Sequence, residues 1–167
     1  SNTSDQTVTV SVTDLDDTNP LITGNNGGAG SSTSSVSVNE NQTTVDTFTA
    51  NETVTWSLNG GADASKFNIN SSSGALSFST APDFENPSDA NSGNDYVVIV
   101  RATDSASNTS DQTVTVSVTD LDDTNPLITG NNGGAGSSTS SVSVNENQTT
   151  VDTCLLYTSD AADDRMR

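Results

Sequence analysis

Apolar residues alternate with polar ones along much of this chain, the pattern of strands that bury one face. Helical periodicity is weak, and further strands are expected near Val36 and Phe48. About seven strands in one unit predict an all-β fold, a Greek-key seven-stranded β-sandwich. The alternating positions are Val8, Val10 and Val12; Val54, Trp56 and Leu58; Phe67 and Ile69; Leu76 and Phe78; Tyr96, Val98, Val100 and Ala102; and Val114, Val116 and Val118.

The chain contains a long internal repeat. Residues 1–47 recur without a change at 107–153, an offset of 106 residues, and a unit of that length is typical of a β-sandwich module. We expect residues 1–19 to be the C-terminal strand and linker of a preceding repeat. Residues 20–125 would form one complete repeat, and residues 126–153 the start of the next.

Two segments depart from this pattern. Residues 154–167 hold the single Cys and the single Met, and Cys154 to Asp163 resembles a translated sequencing adapter. We interpret this tail as a cloning or assembly scar and leave it out of the fold; a genuine variable C-terminus is the alternative. The low-complexity stretch Gly24 to Ser35 has no side chain able to anchor a strand, so we expect a flexible insertion there.

The charge balance excludes several functions. Asp and Glu number 22 against 4 Lys and Arg, the net charge is -18, and His is absent. Nucleic acid is not expected as a partner, because phosphate binding needs a basic face. Catalytic triads and imidazole zinc sites need His. An apolar run of about 18 residues, which a membrane span would need, is also missing.

Acidic residues gather where strands are expected to end. The unit boundary carries Asp120, Asp122 and Asp123, and the same run appears one unit earlier as Asp14, Asp16 and Asp17. The remaining acids of interest follow strands or lie in loops, at Glu40, Asp83, Glu85 and Asp104.

These residues carry a family resemblance. The boundary sequence VTDLDDTNP resembles the cadherin linker D-x-N-D-N-x-P, and Val38 to Asn41 resembles the x-E-x element. Asp83-Phe84-Glu85 resembles the D-R-E element, and Val100 to Asp104 resembles V-x-A-x-D. Over residues 1–153 the chain is therefore similar to a cadherin-like tandem repeat of a large surface adhesin. The resemblance implies an immunoglobulin-like sandwich with Ca2+ held between successive modules.

The resemblance also implies a set of ligands. Glu40, Asp83, Glu85, Asp120 and Asp123, with the Leu121 carbonyl, would bind the two ions nearest the complete unit. Asp122 and the Thr124 carbonyl would reach a third ion, and Asp104 would reach back to the upstream linker acids Asp14, Asp16 and Asp17. The family's D-x-D element is missing, and only Asn51 and Glu52 could substitute for it. We therefore expect one to two ions per junction.

The types of residue in the chain also favour calcium binding, independently of the family resemblance. Carboxylates that converge at one pole repel each other, and outside the tail only Lys66 and Arg101 carry positive charge. A divalent cation would relieve that repulsion. Oxygen ligands without His or Cys suit the 6–8 coordination of calcium better than zinc or magnesium.

Other interpretations of the acids remain open. A solvated surface charge is the usual fate of Asp and Glu, and we expect it for Asp63, Asp89, Asp95 and Asp111. Asp83 and Glu85 could form a glycosidase pair, but no aromatic sugar platform accompanies them.

We expect a non-enzymatic, secreted or cell-surface adhesion repeat whose partners are calcium and neighbouring repeats of the same chain. Another cell-surface protein or a glycan is a further partner to consider. A glycan-binding module that uses the 86–95 loop is the alternative function.

Overall fold

The computed structural model describes residues 1–123, 125–130, 134–151 and 153–157. Within these residues the only helical element is a single 3-10 turn at Ala64–Lys66. The strands are β1 (Ile22–Thr23), β2 (Thr33–Asn39), β3 (Thr44–Thr47), β4 (Thr49–Ala50), β5 (Thr55–Leu58), β6 (Phe67–Ile69), β7 (Ala75–Phe78), β8 (Asp95–Thr103), β9 (Thr109–Thr119), β10 (Leu127–Thr129) and β11 (Leu155–Tyr157).

Seven of these strands form the predicted Greek-key sandwich. One sheet has the order β2-β9-β8-β5 and the other has the order β3-β7-β6. A short antiparallel pair, β1 with β4, lies beside them. The fold class expected from the alternating pattern is therefore confirmed.

The core fills the space between the two sheets. Val98, Val100 and Ala102 of β8 are fully buried, as the long alternating run predicts. Phe78 packs at 4.6 Å from Phe67 and edge-on to Tyr96 at 5.1 Å, measured between ring centroids. These aromatic pairs stabilise the sandwich beyond the area they bury, which helps a chain with so few aromatic residues to form one core.

The direction of three strands decides where the acidic residues meet. β2 runs parallel to β9, with Asn39 opposite Thr119, so both strands end at the same pole of the sandwich. β8 runs antiparallel to β9, with Thr103 opposite Thr109, so β8 ends at the other pole. Residues that follow β2 and β9 therefore lie together, whereas residues that follow β8 lie about 35 Å away along the strands.

The first copy of the repeated strand differs from the prediction. Residues 1–19 form no strand, and Val8, Val10 and Val12 are exposed. The same sequence forms β9 in the second copy, where β2 and β8 hydrogen-bond to it on both sides. Residues 1–19 have no such neighbours among the described residues, and a strand without a partner leaves its backbone groups to water.

The glycine-rich segment is more ordered than we expected. Ser34 is buried and Thr33 to Ser35 belong to β2, so the expectation that this stretch cannot anchor a strand is wrong. The loop before β2 is tied down by side chains from elsewhere in the sandwich. Gln112 Nε2 donates to the Ser31 carbonyl at 2.8 Å, and Asp46 accepts from the Asn25 N–H at 2.9 Å.

The tail that we left out of the fold contributes a strand. Leu155–Tyr157 form β11, which pairs with β10 so that Ile128 is opposite Leu156. Ile22 is opposite Ala50 in the β1–β4 pair, which is the same register one repeat earlier. The tail backbone thus occupies the β4 position of the second copy. The rest of the tail, 158–167, lies outside the described residues.

Two aspartates that we expected to be solvated are buried instead. Asp63 accepts hydrogen bonds from the Ala90 and Val97 backbone N–H groups at 2.7 and 2.8 Å. Asp89 accepts from the backbone of the turn that follows it, including Gly93 N–H at 3.0 Å. Because both carboxylates replace water with backbone donors, they hold the 86–94 loop against β8. Asp95 and Asp111 are exposed, as predicted.

Candidate metal centres

The pole at the end of β2 and β9 has a buried carboxylate at its centre. Glu40 follows β2 directly, and its side chain is only 1% exposed. Its two oxygens accept hydrogen bonds from the Leu121 and Phe84 backbone N–H groups, each at 2.8 Å. The Glu40 carboxylate is therefore fixed between the linker that follows β9 and the loop that carries Asp83 and Glu85.

Three carboxylates converge at this pole. Glu40, Glu85 and Asp123 each place an oxygen within 4.8 Å of the other two; we call this set the downstream group. The Glu85 backbone N–H favours the charged form of its own carboxylate, but desolvation and the charges of Glu40, Asp120 and Asp123 outweigh it and raise the pKa of Glu85. The pole is therefore one where added negative charge is unfavourable.

The other predicted downstream ligands take different positions. Asp120 is half-buried and close enough for its charge to act on Glu85. Asp122 is exposed, and Asp83 accepts a hydrogen bond from the Asn86 N–H at 3.0 Å. Neither Asp83 nor Asp122 belongs to the group of converging oxygens. Thr124, which we expected to offer a carbonyl, lies outside the described residues.

The opposite pole has a second group of three. Asp16, Glu52 and Asp104 place carboxylate oxygens within 4.8 Å of one another; we call this set the upstream group. Desolvation, then the charges of Asp16 and Asp104, raise the pKa of Glu52. Asp14 and Asp17 are exposed and do not belong to the group. Of the two expected substitutes for the missing D-x-D element, Glu52 is in the group.

Asp104 is held rigidly within the upstream group. Its side chain is 8% exposed and accepts hydrogen bonds at 2.8 Å from the Ala106 and Asn108 backbone N–H groups and from Asn108 Nδ2. Desolvation opposes ionisation, but the hydrogen bonds, led by that of the Asn108 side chain, lower the pKa of Asp104. A carboxylate held ionised in a fixed orientation is suited to bind a cation.

Two asparagines hold the acidic groups, and a third holds the segment that enters β1, through contacts that the sequence motifs did not reveal. Asn41 Nδ2 donates to Asp123 Oδ2 at 2.7 Å in the downstream group. Asn108 Nδ2 also lies 3.1 Å from the Asp16 carbonyl, which ties the upstream linker to the turn after β8. Asn51 Oδ1 accepts the Leu21 N–H at 2.6 Å, so its described contact holds the chain entry. Each of these asparagines is next in sequence to an acid of the motifs or to the end of a strand. That position is the signal by which the sequence could have identified them.

Comparison with known proteins was made by sequence and by structure. No protein-family model matches the chain, and no curated protein sequence is similar to it. Solved structures of cadherin extracellular domains are similar to it and share the Greek-key sandwich described above. The fold is therefore a cadherin-like one.

Three structures illustrate the likeness. The protocadherin gammaB7 EC3-6 cis-dimer is 24% identical over 66% of this chain and 25% of that chain, with a TM-score of 0.51. Drosophila N-cadherin EC1-4 is 25% identical over 65% of this chain and 26% of that chain, with a TM-score of 0.51. Mouse cadherin-23 EC22-24 is 20% identical over 67% and 36%, with a TM-score of 0.53. The chain thus spans about a quarter to a third of their length.

Proposed function

We propose that this chain is a calcium-binding, cadherin-like repeat of an extracellular adhesin, and that it acts as a spacer and not as an enzyme. One observation carries the proposal. The sandwich places three carboxylates within 4.8 Å of one another at each of its two poles, where successive modules would meet. The ion pair found among the described residues joins Arg101 to Asp111, and neither residue belongs to either group.

The two groups assign the ligands of a junction. Asp16 and Asp122 occupy the same place in the repeat, as do Asp17 and Asp123. Asp123 faces the module that precedes its linker, whereas Asp16 faces the module that follows. By equivalence, Asp122 would serve the next module as Asp16 serves this one. A junction would then combine a downstream group with an upstream group, joined by one linker.

The donor set fits calcium. All six group members offer carboxylate oxygen, and four of them are exposed or half-buried, so water or backbone carbonyls can complete the coordination. Calcium accepts 6–8 oxygen ligands in flexible geometry, whereas zinc prefers nitrogen and sulfur. Asp120, Asp83 and the Leu121 carbonyl are the remaining candidates for the downstream ion, and Asp14 and Asp17 are candidates upstream.

Calcium would supply a positive charge that holds the carboxylates of the linker to those of both modules. Without it, the carboxylates of each group repel one another and favour a bent or mobile linker. With it, the linker is fixed against the sandwich and the array becomes stiff and extended. Extracellular modules bind calcium with dissociation constants of about 10⁻⁴ to 10⁻³ M, which matches the extracellular ion level.

A location outside the cell fits this chemistry, with neighbouring repeats and another cell-surface molecule as partners. Calcium is millimolar outside the cell. Residues 1–153 contain no Cys, so the sequence before the tail has no thiol that an oxidising exterior would modify. None of the described residues form a helix with the length and apolar character that crossing a bilayer requires.

Calcium titration of the melting temperature tests the proposal. At about ten times the dissociation constant, binding to the folded state adds about 1.4 kcal/mol, which raises the Tm by about 5 °C. Glu85→Gln should remove the downstream group's share of this rise, whereas Asp5→Asn, which changes an exposed acid that belongs to neither group, should keep it. A Tm that does not respond to calcium or chelator in the unmodified chain would contradict the proposal.

A cavity beside the 86–95 loop supports glycan binding as a second candidate. It measures about 470 Å³, and Lys66, Asp83, Asn86 and Ser88 are among the polar side chains that line it. Those side chains offer both donors and acceptors for sugar hydroxyls. A glycan-binding screen in chelator separates the two functions, because Lys66→Met should abolish glycan binding and leave the calcium response unchanged.

A further inference from the structure

The strand at one edge of the larger sheet is held by a single neighbour. β2 pairs only with β9 in the order β2-β9-β8-β5. Val36 is the most buried apolar residue of β2, at 6% exposed. The residues of the opposite face, Thr33, Ser35, Ser37 and Asn39, are exposed. An edge strand of this kind can leave without breaking any other strand pairing of the sandwich.

A second segment of the chain has the same sequence as β2. Residues 139–145 match β2 at every position, form no strand, and carry Val142 and Val144 at 37% and 50% exposure. Glu146 follows this segment as Glu40 follows β2, so the copy also includes the carboxylate that docks at the downstream pole.

The turn before this segment already has the conformation that it has before β2. Gly136 N–H donates to the Ile128 carbonyl at 3.2 Å, as Gly30 N–H donates to the Ile22 carbonyl at 2.9 Å. Ser137 Oγ bonds to the Thr139 carbonyl at 2.8 Å, as Ser31 Oγ bonds to that of Thr33. The copy is thus prearranged for the strand that it does not form, which lowers the ordering cost of docking.

The connection to β9 is long enough for the copy to reach the β2 position. The chain must return from Thr119 to the level of Thr113, a distance of about 20 Å along the strand. With the Gly136 to Ile128 hydrogen bond kept, residues 120–128 alone can span about 30 Å when extended. Loop closure of this length adds little cost over that of a shorter loop.

We propose that residues 139–145 exchange with β2 at the edge of β9 within one chain. Because the two segments are identical, each can make the same strand contacts with β9. The resident state is favoured by hydrogen bonds that residues 24–43 make elsewhere, such as that from the Phe78 N–H to the Thr43 carbonyl at 2.7 Å. In the exchanged state Val142 takes the place of Val36, Glu146 takes the place of Glu40, and residues 24–43 become a loop. The proposal does not depend on calcium binding.

Disulfide trapping tests the exchange directly. Ser35 and Thr115 are register partners in the resident state, and adjacent strands are close enough for a disulfide. In a Cys154→Ser background, Ser141→Cys with Thr115→Cys should form a disulfide within the monomer. Ser35→Cys with Thr115→Cys gives the yield of the resident pairing for comparison.

A matched pair controls for random collision. Thr149→Cys with Thr115→Cys uses a position whose counterpart, Thr43, lies beyond the end of β2. The exchange requires the Ser141 pair to form several times more monomer disulfide than this control. An equal yield, or disulfide only between two copies of the chain, would overturn the proposal.

Substitution of the buried valines tests it without a cross-link. Val36→Asp disables the resident strand, so the copy should replace it and the Tm should stay near that of the unmodified chain. Val36→Asp combined with Val142→Asp disables both strands and should lower the Tm by about 10 °C or more. Equal losses for the single and the double variant would rule the exchange out.

Discussion

Two identical stretches of this chain have different structures. Residues 109–119 form β9, where Val114, Val116 and Val118 are at most 4% exposed. Residues 3–13 have the same sequence but form no strand, and Val8, Val10 and Val12 are 73–92% exposed. The difference is the presence of β2 and β8 on either side. Strand formation in this fold is therefore decided by distant partners and not by local propensity.

The glycine turns of the two copies behave in the opposite way. Gly30 and Gly136 have φ values of 74° and 75°, and the hydrogen bonds around them are the same in both copies. Only the first copy is followed by a paired strand. Short-range hydrogen bonds and a residue that tolerates positive φ are enough to form this turn.

The largest expected effect comes from a charge placed in each copy of the strand. Val116→Asp puts an unpaired carboxylate in the core and should destabilise the module by about 4 kcal/mol or more. Val10→Asp, its counterpart, should change the free energy of unfolding by less than about 0.5 kcal/mol. Urea denaturation measures both, and a comparable loss in Val10→Asp would show that residues 3–13 pack in solution.

The next effect concerns the buried carboxylate at the downstream pole. In a Val142→Asp background, which keeps residues 139–145 from replacing β2, Glu40→Gln sets an amide N–H₂ against a backbone donor and should cost about 1–3 kcal/mol. It should also remove the downstream group's share of the rise in Tm that calcium produces. Glu146→Gln changes the exposed copy of the same residue. Calorimetry with and without calcium should show no change for that variant. A Glu40→Gln protein that keeps its full calcium response would exclude Glu40 as a ligand.

A smaller effect is expected at the turn. Gly30 has φ 74°, and a Cβ there would lie 3.2 Å from Leu21 Cδ2. In the Val142→Asp background, Gly30→Ala should therefore cost about 1 kcal/mol in the unfolding free energy. Gly136→Ala introduces the same backbone strain in a segment that supports no sandwich strand. Thermal unfolding should therefore leave that variant unchanged, and equal losses at the two sites would show that the second copy folds with the module.

The smallest effect concerns the ion pair. Arg101 donates to both oxygens of Asp111, and this lowers the pKa of Asp111. Because the pair is more than a third exposed, Asp111→Asn should cost no more than about 0.5 kcal/mol at pH 7. Because the pKa of Asp111 is lower in the folded state, the ion pair stabilises the fold at pH values above the usual pKa of 3.8. This stabilisation is lost as the pH falls through the folded-state pKa.

The pH dependence provides the control for that prediction. The difference between Asp111→Asn and the unmodified chain should vanish in acid, when the carboxylate is protonated in both the folded and unfolded states. Asp5→Asn, the exposed copy, should have no effect at either pH. A difference that persists in acid would mean that Asp111 stabilises through packing.

Strand positions and part of the site could be predicted from the sequence. Alternation located β8, β9 and the core position of Trp56, which is 5% exposed. The motifs included Glu40, Glu85 and Asp123, which meet at one pole. Glu40 and Asp123 follow strands that end together, and Glu85 lies in the loop between β7 and β8. That these residues bind calcium remains a prediction.

Other features depended on contacts that a pattern does not contain. Alternation could not distinguish residues 3–13 from residues 109–119, because the difference lies in their neighbours. The burial of Asp63 and Asp89 depends on backbone N–H groups of a distant loop. The order of the Gly24 to Ser35 segment depends on Gln112, which lies in β9.

The parallel pairing of β2 with β9 has a mechanical consequence. Tension applied along the array pulls β2 and β9 in opposite directions along their common axis. The rungs of backbone pairing between β2 and β9, from Thr33 to Asn39, then bear the force together in shear and do not open one by one. Single-molecule stretching should show a high rupture force. In the Val142→Asp background, where the copy cannot replace β2, Val36→Pro removes one rung and should reduce that force. A surface protein built from such modules would resist drag from flowing liquid without any disulfide.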